Sequence, residues 1–300
     1  MTANIFRRTS KFFQYTENVY LSGWGEPLLN PLFPSMIETA KKEGCRVGFT
    51  TNGALVNDTI AEKIVSLETD LICFSFAGSI AETHEMIRAG SSFERLMRNI
   101  RSIVGLKREL KHDKPRILLL YMMTQQNMKE LPHSVDLAAD AGANGVVATN
   151  LDYVAVPLQD KLKAFSCDKA DSWFVSLVSE SYRRADDRNI SFHAFPIEMK
   201  PVRVCSENPL SNLYISEDGG VSPCVYLNPP TEEITRIFCG RKESISRVRF
   251  GNINNQSLLE IWKSPEYALF RSSYAKRRDS PEAFDTIPPA CRTCYKAYGI

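Results

Sequence analysis

What the sequence lacks narrows it before any motif is read. No apolar run is long enough to cross a bilayer and no cleavable leader is recognisable, so neither a membrane span nor secretion is expected, and a cytoplasmic location is. The formal net charge of +2 is too small for a nucleic-acid surface. Two local basic clusters, Lys107 to Lys114 and Arg271 to Arg278, read as solvated faces. No internal repeat or low-complexity tract is present. No cysteine precedes Cys45. What remains is an ordinary globular chain of 300 residues, 43% hydrophobic and 24% charged, long enough for one large domain or for a principal domain with an appendage.

Cysteine is the one excess. In a reducing compartment the eight thiols are read first as packing groups, metal ligands or catalysts rather than disulfides. Cys45, Cys73 and Cys167 are scattered and are assigned to packing. Cys205, Cys224, Cys239, Cys291 and Cys294 crowd into the last third, as a C-terminal metal-binding unit would require.

The first part of the chain repeats a strand-then-helix unit, the pattern of a parallel sheet covered by helices. Val19–Leu21, Arg46–Thr50, Leu71–Phe76, Arg116–Met122 and Gly145–Ala148 give five parallel strands, and a helix near Pro34 to Lys42 and another near Thr59 to Leu67 follow the first two. Function gathers at the carboxyl ends of such strands, where the backbone N–H groups of helix starts face a common crevice. Those junctions hold Gly23-Trp24-Gly25-Glu26-Pro27, Thr50-Thr51-Asn52-Gly53, Ser75 with Gly78, and Thr124 with Asn127. Turn chemistry alone explains any one of them equally well.

After a variable stretch, Asp152 to Asp171, come a helix near Ser172 to Arg184 and an apolar strand at Ile190–Ala194. The chain then changes character. A β-hairpin turning at Asp218-Gly219-Gly220 carries Cys224 on its second strand, a loop rich in proline and charge follows, and a helix around Leu258 to Tyr274 precedes Cys291-Arg292-Thr293-Cys294. A C-x2-C pair is a compact bidentate clamp, and Cys205 and Cys224 are the obvious second pair. Zinc and iron–sulfur both accept four thiolates. The wide separation of Cys205 from Cys224 favours iron–sulfur, since structural zinc draws its ligands from close pairs. Cys239, beside Gly240, reads as a free thiol, with a spare ligand as the alternative.

Leu21-Ser22-Gly23-Trp24-Gly25-Glu26-Pro27 resembles the glycine-rich turn after the second strand of the radical S-adenosylmethionine (radical SAM) enzymes. Thr50-Thr51-Asn52-Gly53 and Cys73-Phe74-Ser75 are similar to the next barrel edges of that family. Cys205, the Gly219-Gly220 hairpin, Cys224, Phe250-Gly251-Asn252-Ile253, Leu259-Glu260-Ile261-Trp262 and Cys291-x2-Cys294 are similar to its SPASM or shorter twitch domains. The resemblance implies an α/β chain: a partial (β/α)6 barrel over residues 1–200 lacking its first strand, and a small iron–sulfur domain over 201–300. It implies SAM as cofactor, with Gly23, Gly25 and Glu26 at its methionine amino group, Thr51 and Asn52 on the neighbouring turn, Ser75 near the ribose, and Met122 or Met123 near the adenine. It also implies an auxiliary [4Fe–4S] cluster on Cys205, Cys224, Cys291 and Cys294.

Family chemistry is reductive cleavage of SAM to a 5′-deoxyadenosyl radical by a cluster on C-x3-C-x2-C, a motif this chain does not contain. A shortened enzyme explains that better than a degenerate one, because the glycine-rich SAM turn is intact. The function expected is a peptide- or protein-modifying oxidoreductase acting on a peptide, protein or cofactor precursor, with ferredoxin or flavodoxin as electron donor. The alternative is a non-catalytic iron–sulfur electron-transfer or peptide-binding module, and a zinc-stabilised binding protein is the third class.

Overall fold

The structure is a computed structural model and describes residues 1–280 and 284–300. The chain forms two compact units that no single cut separates. A sheet unit comprises Phe13–Asn150 and Ala170–Phe195, and a cysteine unit comprises Met1–Phe12, Leu151–Lys169 and Pro196–Ile300.

In the sheet unit, strands β1 (Asn18–Tyr20), β2 (Arg46–Thr51), β3 (Leu71–Phe76), β4 (Arg116–Met123), β5 (Gly145–Asn150) and β6 (Ser191–Ala194) lie side by side in chain order, all parallel. That is one strand more than expected. The apolar run before Phe195 was legible as a strand, but its place in the sheet was not, and it pairs with β5 from Gly145↔Ser191 to Ala148↔Ala194. Helices Phe33–Lys42, Asp58–Ser66, Phe93–Glu109, Leu131–Asp140 and Ser172–Arg188 join the strands. Asn57, Ser92 and Asp171 start three of them by accepting backbone N–H bonds at the N-cap.

Alternation along the strands gives the sheet two different faces. Val47, Phe49, Ile72, Phe74, Ile117, Leu119, Tyr121, Met123 and Val146 are sealed in the core. The opposite face presents Tyr20, Thr50, Cys73, Ser75, Leu120, Met122 and Thr149, and it is only partly covered.

The cysteine unit is built from short pieces. β7 (Tyr214–Ile215) and β8 (Gly220–Ser222) form the expected hairpin, but Cys224 lies just past β8, at the start of a 3-10 turn. The segment expected to be an irregular loop is a second hairpin, β9 (Glu233–Phe238) with β10 (Arg241–Ser246). β11 (Gly251–Asn252) pairs with β8. The helix expected over Leu258 to Tyr274 is two, Leu258–Lys263 and Pro265–Asp279, because Pro265 has no N–H to continue the first and Ser264 caps the second. Residues 1–12 belong here as well: the helix Ala3–Ser10 sends Arg8 to donate to the Ile253 carbonyl at 2.5 Å.

Two expectations about single residues fail in this unit. The basic cluster Arg271 to Arg278 is not uniformly solvated. Arg271 stacks 3.9 Å from the Trp262 ring centre, and Arg277 is buried, donating to the Val202 carbonyl at 2.6 Å. Cys167 and Cys239 are neither packing group nor free thiol but a disulfide across 72 positions of sequence. The other two cysteines assigned to packing, Cys45 and Cys73, are buried free thiols of the sheet unit.

Candidate functional site

Two constellations stand out, one in each unit. In the sheet unit, β1 to β4 run parallel, so the turns that follow them gather at one edge of the sheet. Glu26 organises that edge. Its Oε1 accepts from the Thr51 hydroxyl at 2.7 Å and from Leu28 N–H at 3.2 Å, and its Oε2 accepts from Asn52 N–H at 2.7 Å. A carboxylate has about four acceptor positions, so three bonds leave roughly one, together with the negative charge. Gly25 sits at φ +117, where a side chain would be strained, and the space around it is open. Gly23 is exposed in the same turn.

The structure thus brings Glu26, Thr51 and Asn52 into one hydrogen-bonded group, with Gly23 and Gly25 on the turn that delivers Glu26. Ser75 and Met122 lie on the partly covered face, whereas Met123 is sealed in the core.

Three further residues hold this edge, one of which, Asn127, the sequence pairs with Thr124 at a strand end. Asn127 is fully buried, donates to the carbonyls of Ala77 and Met122 at 2.9 and 2.8 Å, and accepts from Thr124 N–H at 2.7 Å. It therefore fastens the chain beyond β3 to the end of β4. Buried Glu130 accepts from Ser79 N–H at 2.7 Å and from the hydroxyls of Ser79 and Thr83. Arg88 lies in the field of Glu26, although burial lowers its own pKa. Only Asn127 carried a sequence signal, as a polar residue just past a strand end.

In the cysteine unit the four expected ligands converge. Cys205 and Cys291 sit in one apolar cluster with Val221, Leu227, Ile261, Tyr267 and Phe270, and Cys224 packs against it. Burial pushes the Cys205 thiol up to about 11 and Cys291 up to about 12, each raised further by Cys294 nearby. Burial also raises Cys224, followed by the charges of Cys291 and Cys294, and it raises Cys294 itself. The buried Tyr274 hydroxyl lies 3.9 Å from the Cys205 sulfur.

Arg236, buried on β9, fixes the C-x2-C segment by donating to the Ala290 carbonyl and, at 2.7 Å, to the Thr293 hydroxyl. Its positive charge favours the thiolates of Cys291 and Cys294. Four clustered thiols, two on buried and two on half-buried residues, with a fixed cation beside Cys291 and Cys294, are a donor set suited to a thiolate-bound metal centre.

Among the described residues no three His, Cys, Asp or Glu side chains are grouped tightly enough to hold a single metal ion.

Comparison with known proteins matches two domain models. Residues 2–138 match the family model of the radical SAM superfamily, and residues 205–295 match that of SPASM, an iron–sulfur cluster-binding domain. The chain is 29% identical over 265 residues to the tungsten-containing aldehyde ferredoxin oxidoreductase cofactor-modifying protein of Pyrococcus furiosus, covering 86% of this chain and 70% of that protein. It is 21% identical to the PqqA peptide cyclase of Granulibacter bethesdensis, covering 92% and 66%.

The fold is similar to that of Streptococcus suis SuiB bound to S-adenosylmethionine, with a TM-score of 0.62 at 13% identity over 91% of this chain and 60% of SuiB. It is similar also to that of anSMEcpe with bound AdoMet and a Cp18Cys peptide, with a TM-score of 0.62 at 14% identity over 98% of this chain and 80% of that one. This chain therefore spans only part of the length of these relatives. The two domains imply iron–sulfur clusters, and the two solved structures carry SAM. The two domains together match a radical SAM protein with a C-terminal SPASM domain.

Proposed function

We propose that this chain is part of a radical SAM/SPASM oxidoreductase that modifies a peptide, a protein or a cofactor precursor. Cys205, Cys224, Cys291 and Cys294 hold an auxiliary [4Fe–4S] cluster, and Gly23, Gly25, Glu26, Thr51, Asn52 and Ser75 hold SAM. When bound, the cluster supplies one-electron transfer. The observation that carries the reading is the convergence of four thiols, two of them beside Arg236, in a chain whose sheet edge also holds a pre-organised carboxylate.

Glu26 does the positioning on the sheet side. Its remaining lone pair and its charge receive an ammonium group, and the bonds from Thr51, Asn52 and Leu28 hold the carboxylate still while it does so. Ser75 and Met122 extend the same lining along the open face of the sheet. The substrate class rests on the relatives: one is named as a modifier of an oxidoreductase cofactor, another as a peptide cyclase, and anSMEcpe was solved with a peptide.

Anaerobic purification with iron, sulfide and zinc analysis tests the reading. A full [4Fe–4S] complement with no zinc supports it, and stoichiometric zinc without iron overturns it. The 300-residue chain incubated alone with SAM and dithionite is expected to release no 5′-deoxyadenosine, because no C-x3-C-x2-C is present in it.

A further inference from the structure

The Cys167–Cys239 disulfide belongs to neither site described above. Cys239 and Gly240 form the two-residue tip of the β9–β10 hairpin, both in the left-handed region, with φ 47 and 78. That backbone suits Gly240 and strains Cys239. Both sulfur-bearing residues are only half-buried, unlike Cys205 and Cys291.

The surroundings of the two sulfurs differ. Lys163 Nζ lies 3.9 Å from Cys167 Sγ and is largely buried, sharing its charge with Asp160 at 2.5 Å. Met199 Sδ lies 3.6 Å from Cys239 Sγ. The cation therefore favours a thiolate on Cys167 over one on Cys239.

The bridge is not what holds its two segments in place. The hairpin is closed by a six-position antiparallel ladder from Arg241↔Phe238 to Ser246↔Glu233. The Cys167 segment is anchored independently: Ser166 N–H donates to the Ile197 carbonyl at 3.0 Å, and Met199 N–H donates to the Ser166 carbonyl at 3.2 Å. Tyr295 also receives a hydrogen bond from Cys239 N–H at 2.8 Å. Opening the bridge leaves all of these bonds available.

We propose that Cys167 and Cys239 form a thiol–disulfide exchange site whose co-substrate is an external dithiol protein, and that Cys239 is the sulfur attacked. The attacking thiolate bonds to Cys239 Sγ as the Cys167–Cys239 bond breaks, and Cys167 leaves as a thiolate beside Lys163. The second thiol of the dithiol protein then displaces Cys239, so that the dithiol is oxidised to a disulfide while this pair takes up two electrons and, overall, two protons. The assignment of Cys167 as leaving group follows from the charge placed beside it.

The folded 300-residue chain in its oxidised form is treated with a thioredoxin-type protein, free thiols are alkylated, and peptides carrying each cysteine are quantified by mass spectrometry. The pair is expected to open without denaturant and to close again on oxidation, while Cys45 and Cys73 stay unchanged. A thioredoxin-type variant lacking its second cysteine is expected to be trapped on Cys239, and Lys163→Met is expected to slow opening roughly fivefold. Resistance of the bridge until the chain is unfolded, trapping on Cys167, or two free thiols in the oxidised protein would each overturn the proposal.

Discussion

The two units prepare for their occupants in opposite ways. At the sheet edge the carboxylate of Glu26 is already bonded to Thr51, Asn52 and Leu28, so the site is shaped by groups that satisfy one another. In the cysteine unit, four thiols are clustered and desolvation raises their pKa values, so at neutral pH they are protonated until something that prefers thiolates arrives. The first site is pre-organised by hydrogen bonds, and the second is completed by its metal. Around those thiols the core is small and its strands are two to six residues long, whereas a six-stranded sheet underlies Glu26. Stability in the cysteine unit should therefore depend on metal binding.

The largest expected effect follows directly. Removing iron from the purified protein with a chelator, or replacing Cys291 and Cys294 together by serine, should leave the sheet unit folded and the cysteine unit loose. Limited proteolysis with mass mapping reads this out: cuts should fall within residues 196–300 and spare 13–150. Uniform resistance after iron loss would show that the cysteine unit is stable without metal and would erase the contrast.

Acid should then attack the sheet unit first. Burial, and next the charge of Arg88, hold His84 down at about 4, and its Nδ1 accepts from Ala77 N–H at 3.4 Å, which requires that nitrogen to be unprotonated. The unfolded histidine titrates near 6.5, so the unfolded state binds more protons between those values. The stability His84 contributes is complete above about 6.5 and is lost as pH falls through about 4, amounting to about 3 kcal/mol. Thermal melts at pH 7 and pH 4 should show this loss for the wild type and a smaller one for His84→Gln. Equal losses would remove His84 as the cause.

Glu26→Gln comes next. It removes the charge and replaces one acceptor oxygen by an amide that cannot accept from both Thr51 and Asn52. With charged hydrogen bonds worth about 1.5–3 kcal/mol, SAM affinity should fall roughly tenfold to a hundredfold with little change in melting temperature. Calorimetric titration of the iron-loaded protein separates the two quantities. Unchanged affinity would detach Glu26 from the SAM site.

How much of this was legible in the sequence depends on whether the signal was local. Strand-then-helix periodicity exposed β1 to β5, and the polar turns that follow strands pointed to Glu26, Thr51 and Asn52. Pairing between distant segments left no trace. β6 follows β5 only after a long insertion, the β9–β10 ladder is masked by its charge, and Cys167 meets Cys239 across 72 positions. Arg236 read as one more charge in that stretch, because nothing in sequence announces that a hairpin will turn it inward against Thr293.

The smallest expected effect sharpens the same comparison from the cysteine side. Burial works against ionisation of Asp218 at the β7–β8 turn, but bonds from Ser216, Arg249 and Gly220 outweigh it and hold the carboxyl at about 2. An unfolded aspartate titrates near 3.9, so this contribution is present above that value and fades as pH falls toward about 2, a window below that of His84. Because the side chain is 51% exposed, solvent screens the Arg249 pair and the effect should be slight. Asp218→Asn should lower the melting temperature of the iron-loaded cysteine unit by only a few degrees at pH 7 and by nothing measurable at pH 2, while leaving the pH 4 loss of the sheet unit intact. A shared acid transition for both units would show that they do not lose stability independently.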